Sequence, residues 1–156
     1  MESRAKVFGH PIHQSLVAFP IGAFGVSIAL DALHNRTGRY EHAEGARQAL
    51  NFGLVTAALA APFGLVDWME IDPGTRAMRV GLIHAIGNLV VLGLFATSRL
   101  LRAGGCAPSS AKWVSGAAFT LSGVTAWLGG ELVTRHAIGV HNYPDQDSGS
   151  PSSEQT

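Results

Sequence analysis

The chain has 156 residues, enough for one domain and too few for a membrane unit carrying a separate soluble enzyme. Apolar residues make up 47% and charged residues only 14%, against about 25% charged in an average soluble protein. Eleven basic residues balance eleven acidic ones, which removes the excess cation a nucleic-acid binder needs, and a single cysteine, Cys106, excludes an intrachain disulfide or a multi-cysteine metal site.

Arg4 and Lys6 precede the first apolar stretch, but no A-x-A-like cleavage site follows, so that stretch reads as a retained anchor. Four apolar stretches divide the chain, at about 16–33, 46–66, 80–101 and 113–133, each close to the ~20 residues a helix needs to cross a bilayer. They predict helices over about 14–34, 46–67, 79–101 and 112–134. His10-Pro11 announces the first, with proline tolerated at an initial helical position, and Pro20 should kink it. Asn35, Thr37 and Gly38 begin a polar loop. The second stretch contains Gly53, Pro62 and Gly64, where a bend is expected, and finishes at Asp67-Trp68. Trp68 and Trp113 suit interfacial aromatic belts. Asp72-Pro73-Gly74 is a turn, with φ fixed at proline and free at glycine. The Gly/Ser/Pro-rich segment 102–112 reads as structureless, and residues 142–156 as a disordered polar tail.

A soluble helix shows a polar face at every turn. Residues 54–66 and 82–97 are apolar or small on all sides, apart from His84 and Asn88. The expected fold is therefore all-α: an integral membrane four-helix bundle over residues 1–141, multi-pass in a bacterial inner membrane, with lipid as its first partner. Four crossings put both termini on one side, here called side A. Six basic residues on side B against five on side A place side B in the cytoplasm and the termini in the periplasm. The 19 glycines suit close helix packing, within one chain or in a homo-oligomer.

Ionisable residues inside a bilayer are costly and usually mark a working site. Here they collect at side A: His10 and His13 before helix one, Asp67 ending helix two, His84 one turn into helix three, and Glu131, Arg135 and His136 closing helix four. Asn88 lies one turn below His84 on the same face. Each group also has a plain structural explanation: interfacial histidines, a His84–Asp67 hydrogen bond, and an intrahelical Glu131–Arg135 pair. Three chemistries use this residue set. Haem b needs two neutral imidazoles from different helices, with Arg79 or Arg135 on the propionates. A non-haem metal would take histidines plus Asp67 or Glu131. A proton or ion pathway needs only titratable groups lining a wet cavity. On side B, Asp31, His34 and His42 read as a solvated helix end, because no other helix supplies a histidine there. No G-x-S-x-G or H-E-x-x-H pattern is present, which argues against a hydrolase.

Four ordered motifs carry a resemblance. They are His10-Pro11-Ile12-His13 through Phe19-Pro20-Ile21-Gly22, Gly64-Leu65-Val66-Asp67-Trp68, His84, and Trp127-Leu128-Gly129-Gly130-Glu131-Leu132-Val133 with Arg135-His136. Over about 8–141 the chain resembles the bacterial membrane-protein family catalogued as domain of unknown function 2231. The resemblance implies a four-helix membrane protein. Some relatives are joined to Rieske or cytochrome c-like domains, which implies an electron-transfer setting and, for this chain, a separate redox protein as partner. The leading expectation is a haem-b-binding electron carrier, not a stand-alone enzyme. His13 and His84 would be the axial ligands, with His10 and His136 as the alternative pair. Asp67 would orient an imidazole, and Glu131 would serve beside the site or as a further ligand. The alternative is a non-redox membrane module: a proton or ion pathway, a non-haem metal site, or a small subunit of a larger complex.

Overall fold

In the computed structural model, which describes residues 5–8, 10–104 and 107–138, four long helical passes carry the chain back and forth. A short antiparallel hairpin precedes them, β1 (Lys6–Val7) against β2 (His10–Pro11). Helix α1 (Ile12–Leu16) is separated from α2 (Ala18–Thr37) only at Val17. Pro20 has no N–H to give the Leu16 carbonyl one turn back, so the helix loosens there. The kink expected at Pro20 thus lies one turn earlier in the chain.

α3 (Tyr40–Met69) runs through Pro62 as one continuous helix. The turn after it holds Gly74 at φ 81°, a left-handed conformation that glycine adopts freely, as the Asp-Pro-Gly sequence predicts. Thr75 then caps α4 (Arg76–Leu101), its Oγ accepting the Met78 N–H at 3.1 Å. α5 (Ser109–Thr134) completes the set. The helices begin earlier than hydropathy suggested, because their first turns are polar and lie outside the apolar stretches. The segment 102–112 is correspondingly less irregular than expected, since α5 already starts at Ser109. The polar tail at 142–156 falls outside the described residues.

Two antiparallel pairs, α2 with α3 and α4 with α5, make the closest packing, and they meet through α3 on α4 and α2 on α5. The buried positions of α2 are Pro20, Phe24, Ser27 and Asp31, and α4 buries Val91, Phe95 and Ser98 before Arg102. Steps of four and three residues give one seam per helix, the spacing of left-handed supercoiled bundles. At the centre the rings of Phe24 and Phe95 stack at 3.8 Å and 12°, among Leu50, Val91 and Ala118.

The outer faces are apolar. Phe19, Val55, Leu59, Leu89 and Leu100 are exposed, and less than a third of each apolar window is buried. Ile12–Thr37, Tyr40–Met69 and Arg76–Leu101 are long and apolar enough to cross a membrane. α5 matches α4 in length at 26 residues but is diluted by serine, threonine and glycine. In lipid, exposed leucine costs nothing, and close packing of small and aromatic side chains holds such helices together.

Candidate functional site

The break at Val17 sets His13 on the short α1 helix, where its imidazole turns toward α3. Its Nδ1 lies 3.0 Å from the Ala60 carbonyl oxygen. The ring fits against Gly64: a Cβ built there would sit 2.6 Å from His13 Cε1, closer than side chains tolerate. His84 on α4 is held in the same way. Its Nδ1 lies 2.8 Å from the Thr125 carbonyl oxygen, and a Cβ on Gly129 would meet its Cε1 at 2.9 Å. One of the paired glycines near the end of α5 is therefore required by the close approach of an imidazole.

The hydrogen bonds fix both tautomers. A carbonyl only accepts, so each Nδ1 must carry a proton, and in a neutral ring the lone pair then sits on Nε2. His84 gives an independent check: Asn88 Nδ2, a donor, faces its Nε2 at 3.1 Å. Thr125 Oγ1 donates in turn to Asn88 Oδ1 at 3.1 Å, closing a ring of three side chains and one carbonyl. His13 has no such ring, and its Nε2 meets no hydrogen-bond partner among the described residues. Both imidazoles are half-buried, and they lie within electrostatic range of each other.

The remaining expected residues lie elsewhere on side A. His10 is exposed on β2. Glu131 is buried, accepts a hydrogen bond from Arg76 at 3.3 Å and forms an ion pair with Arg135 at 3.7 Å, both arginines being largely exposed. The intrahelical pair expected from the four-residue spacing is thus present, joined by an arginine from α4. Arg79 is exposed, and its guanidinium has no ion pair or hydrogen bond to another described residue, while its backbone N–H donates to the Thr75 carbonyl at 3.4 Å. His136 lines a cavity of about 320 Å³ with Arg76, Thr75 and Ile138, a lining that includes neither His13 nor His84, and its Nε2 is buried without a hydrogen-bond partner among the described residues. The groups orienting His13 and His84 are backbone carbonyls, where the sequence had suggested Asp67.

One group was misjudged from sequence. Asp31 is not at a solvated helix end: it is buried, and Arg102 grips its two oxygens at 2.8 and 2.6 Å. Ser98 and Ser115 surround the guanidinium, and Ser98 also donates to the Ala111 carbonyl at 2.8 Å. His34 and His42 do serve the loop beyond α2, through the Arg39 carbonyl and the Thr37 hydroxyl, each at 2.8 Å.

Taken together, the structure brings His13 and His84 into one neighbourhood, each with its Nδ1 anchored to a backbone carbonyl; the His84 Nε2 faces Asn88, and the His13 Nε2 is open among the described residues. Among the described residues no three His, Cys, Asp or Glu side chains converge as a metal site would need. The donors these residues offer are two imidazoles from different helices. Anchoring Nδ1–H to a carbonyl is also how metal-ligating histidines are commonly oriented.

The chain belongs to the family described as predicted membrane protein, domain of unknown function 2231 (DUF2231), which matches it over residues 9–142. No curated protein and no solved structure matches it.

Proposed function

We propose that this member of a membrane-protein family is a four-pass membrane protein that holds haem b between His13 and His84 and takes part in electron transfer. α5 supplies the fourth crossing, both termini lie on the periplasmic side of a bacterial inner membrane, and the redox partner is a separate protein. The observation that carries this reading is the paired preparation of the two imidazoles: same tautomer, same kind of carbonyl anchor, same glycine against the ring. Bound haem supplies one-electron chemistry through its iron. The protein's part is to fix both imidazole orientations through Ala60 and Thr125. Lipid-facing helices exclude water around them. Arg79, exposed and unpaired among the described residues, is the cation left for a propionate, because Arg135 is already committed to Glu131.

The test is the absorption spectrum of detergent-purified protein, oxidised and then dithionite-reduced, from cells with adequate haem supply. A sharp reduced α-band of b type is expected. A flat spectrum from folded protein would remove the haem assignment.

The Thr125–Asn88–His84 ring favours a second reading, since it satisfies His84 without any ligand. In that reading the chain is a non-redox membrane module or a subunit of a larger complex. Colourless protein that keeps its fold would favour it.

A further inference from the structure

Placed in register, the two halves of the chain repeat each other. First-helix features recur 71 residues later (13 to 84, 24 to 95, 27 to 98, 31 to 102): His13 and His84, Phe24 and Phe95, Ser27 and Ser98, Asp31 and Arg102. Second-helix features recur 65 residues later (46 to 111, 60 to 125, 64 to 129): Ala46 and Ala111, Ala60 and Thr125, Gly64 and Gly129. The contacts repeat with the residues. Ser27 Oγ donates to the Ala46 carbonyl at 2.8 Å, and Ser98 Oγ to the Ala111 carbonyl at 2.8 Å. His13 uses Ala60 and Gly64, and His84 uses Thr125 and Gly129.

Two of these pairs touch across the molecule: Phe24 on Phe95, and Asp31 on Arg102. A residue that touches its own counterpart lies beside the axis relating the two halves. Ring stack and ion pair are seven residues apart along α2, so the axis runs along the helices. His13 and His84, counterparts in the same register, flank that axis toward side A.

We infer that the chain is two fused copies of one helical hairpin, and that His13 and His84 are the two halves of a single composite site on the axis, taking one ligand per chain. A metal macrocycle with equal imidazoles above and below its plane has the matching two-fold symmetry. That ligand rests on the haem reading; the duplication does not. Two departures from the repeat distinguish the half-sites. Asn88 and Thr125 replace Val17 and Ala60, so the His84 half is tied by a polar ring and the His13 half is open. Asp31 opposite Arg102 makes the two hairpins electrically unlike, which favours one of each kind over two of the same.

Charge exchange tests the duplication without any ligand. Asp31→Arg alone and Arg102→Asp alone each leave like charges facing in a buried place, and should lower the unfolding midpoint in detergent by about 10 °C or abolish folding. Because the two positions are equivalent, the double variant Asp31→Arg/Arg102→Asp should recover at least half of that loss. A double variant no better than the worse single one overturns the duplication. The composite site is read by haem titration of folded protein. One haem per chain is expected, with a low-spin spectrum that either His13→Ala or His84→Ala converts to high spin. Two haems per chain, or a low-spin spectrum surviving either substitution, overturns the single site. Wild-type protein that folds but takes up no haem overturns the ligand assignment, and the charge exchange then decides the duplication by itself.

Discussion

Gly64 and Gly129 show how much can depend on a missing side chain. An added methyl at either would press on a histidine ring at 2.6 and 2.9 Å respectively, and the ring cannot retreat without breaking its carbonyl bond. Gly64→Ala and Gly129→Ala should each cost about 1–3 kcal/mol, the usual range for overpacking. Gly22 and Gly93 are the contrast: nothing lies within 4 Å of an added Cβ, so alanine there should be neutral or gain up to about 1 kcal/mol of helix propensity. Reversible unfolding of the four variants in one detergent checks both halves of the prediction. Equal losses at all four positions would mean that glycine serves the backbone here and not the imidazoles. From sequence the histidines and glycines were visible as suspicious residues. Their pairing was not, because His13 with Gly64 and His84 with Gly129 are long-range contacts that no local spacing encodes.

At the level of the helix, composition and capping act on different parts. The apolar stretches located every long helix but misplaced its start, since polar first turns such as Tyr40–Ala46 and Ser109–Lys112 do not look like membrane segments. Thr75 is a start signal of another kind, a hydroxyl that satisfies an otherwise unpaired N–H. Thr75→Ala should cost about 1 kcal/mol, and it should do so chiefly by fraying the first turn of α4. Hydrogen exchange at Ala77 to Arg79 is the measurement: faster exchange confined to that turn is expected. Unchanged exchange would show that packing of Ala77 holds the turn without its cap.

The whole molecule adds what neither scale contains. Hydropathy predicts four crossings; three of the long passes are long and apolar enough to cross a membrane, while α5 is diluted by Ser, Thr and Gly. A direct check uses the loops. If all four long helical passes cross, Asp72→Cys in the α3–α4 turn and the native Cys106 after α4 lie on opposite faces of the membrane. An impermeant thiol reagent added to sealed vesicles should label one and spare the other. Labelling of both from one side would remove the crossing by α4. The Asp31–Arg102 pair was hidden from sequence for a similar reason: an acid and an arginine 71 residues apart share no motif. Comparing the chain with itself at offsets of 71 and 65 is the signal that would have exposed both the pair and the repeat, though beyond the pairs named above few positions are identical.

That same ion pair has a consequence for how the protein is made. Asp31 enters the membrane with the first hairpin, while Arg102 is still to be translated. At about 5–20 residues per second the 71 residues from Asp31 to Arg102 take roughly 4–14 s. Throughout that interval a carboxylate meant for a buried place has no counter-ion, and the first hairpin resembles an orphan subunit awaiting its partner. A chain stalled or truncated before residue 102 would keep that exposed acid, a chemical mark by which a membrane protease can tell an unfinished copy from a finished one.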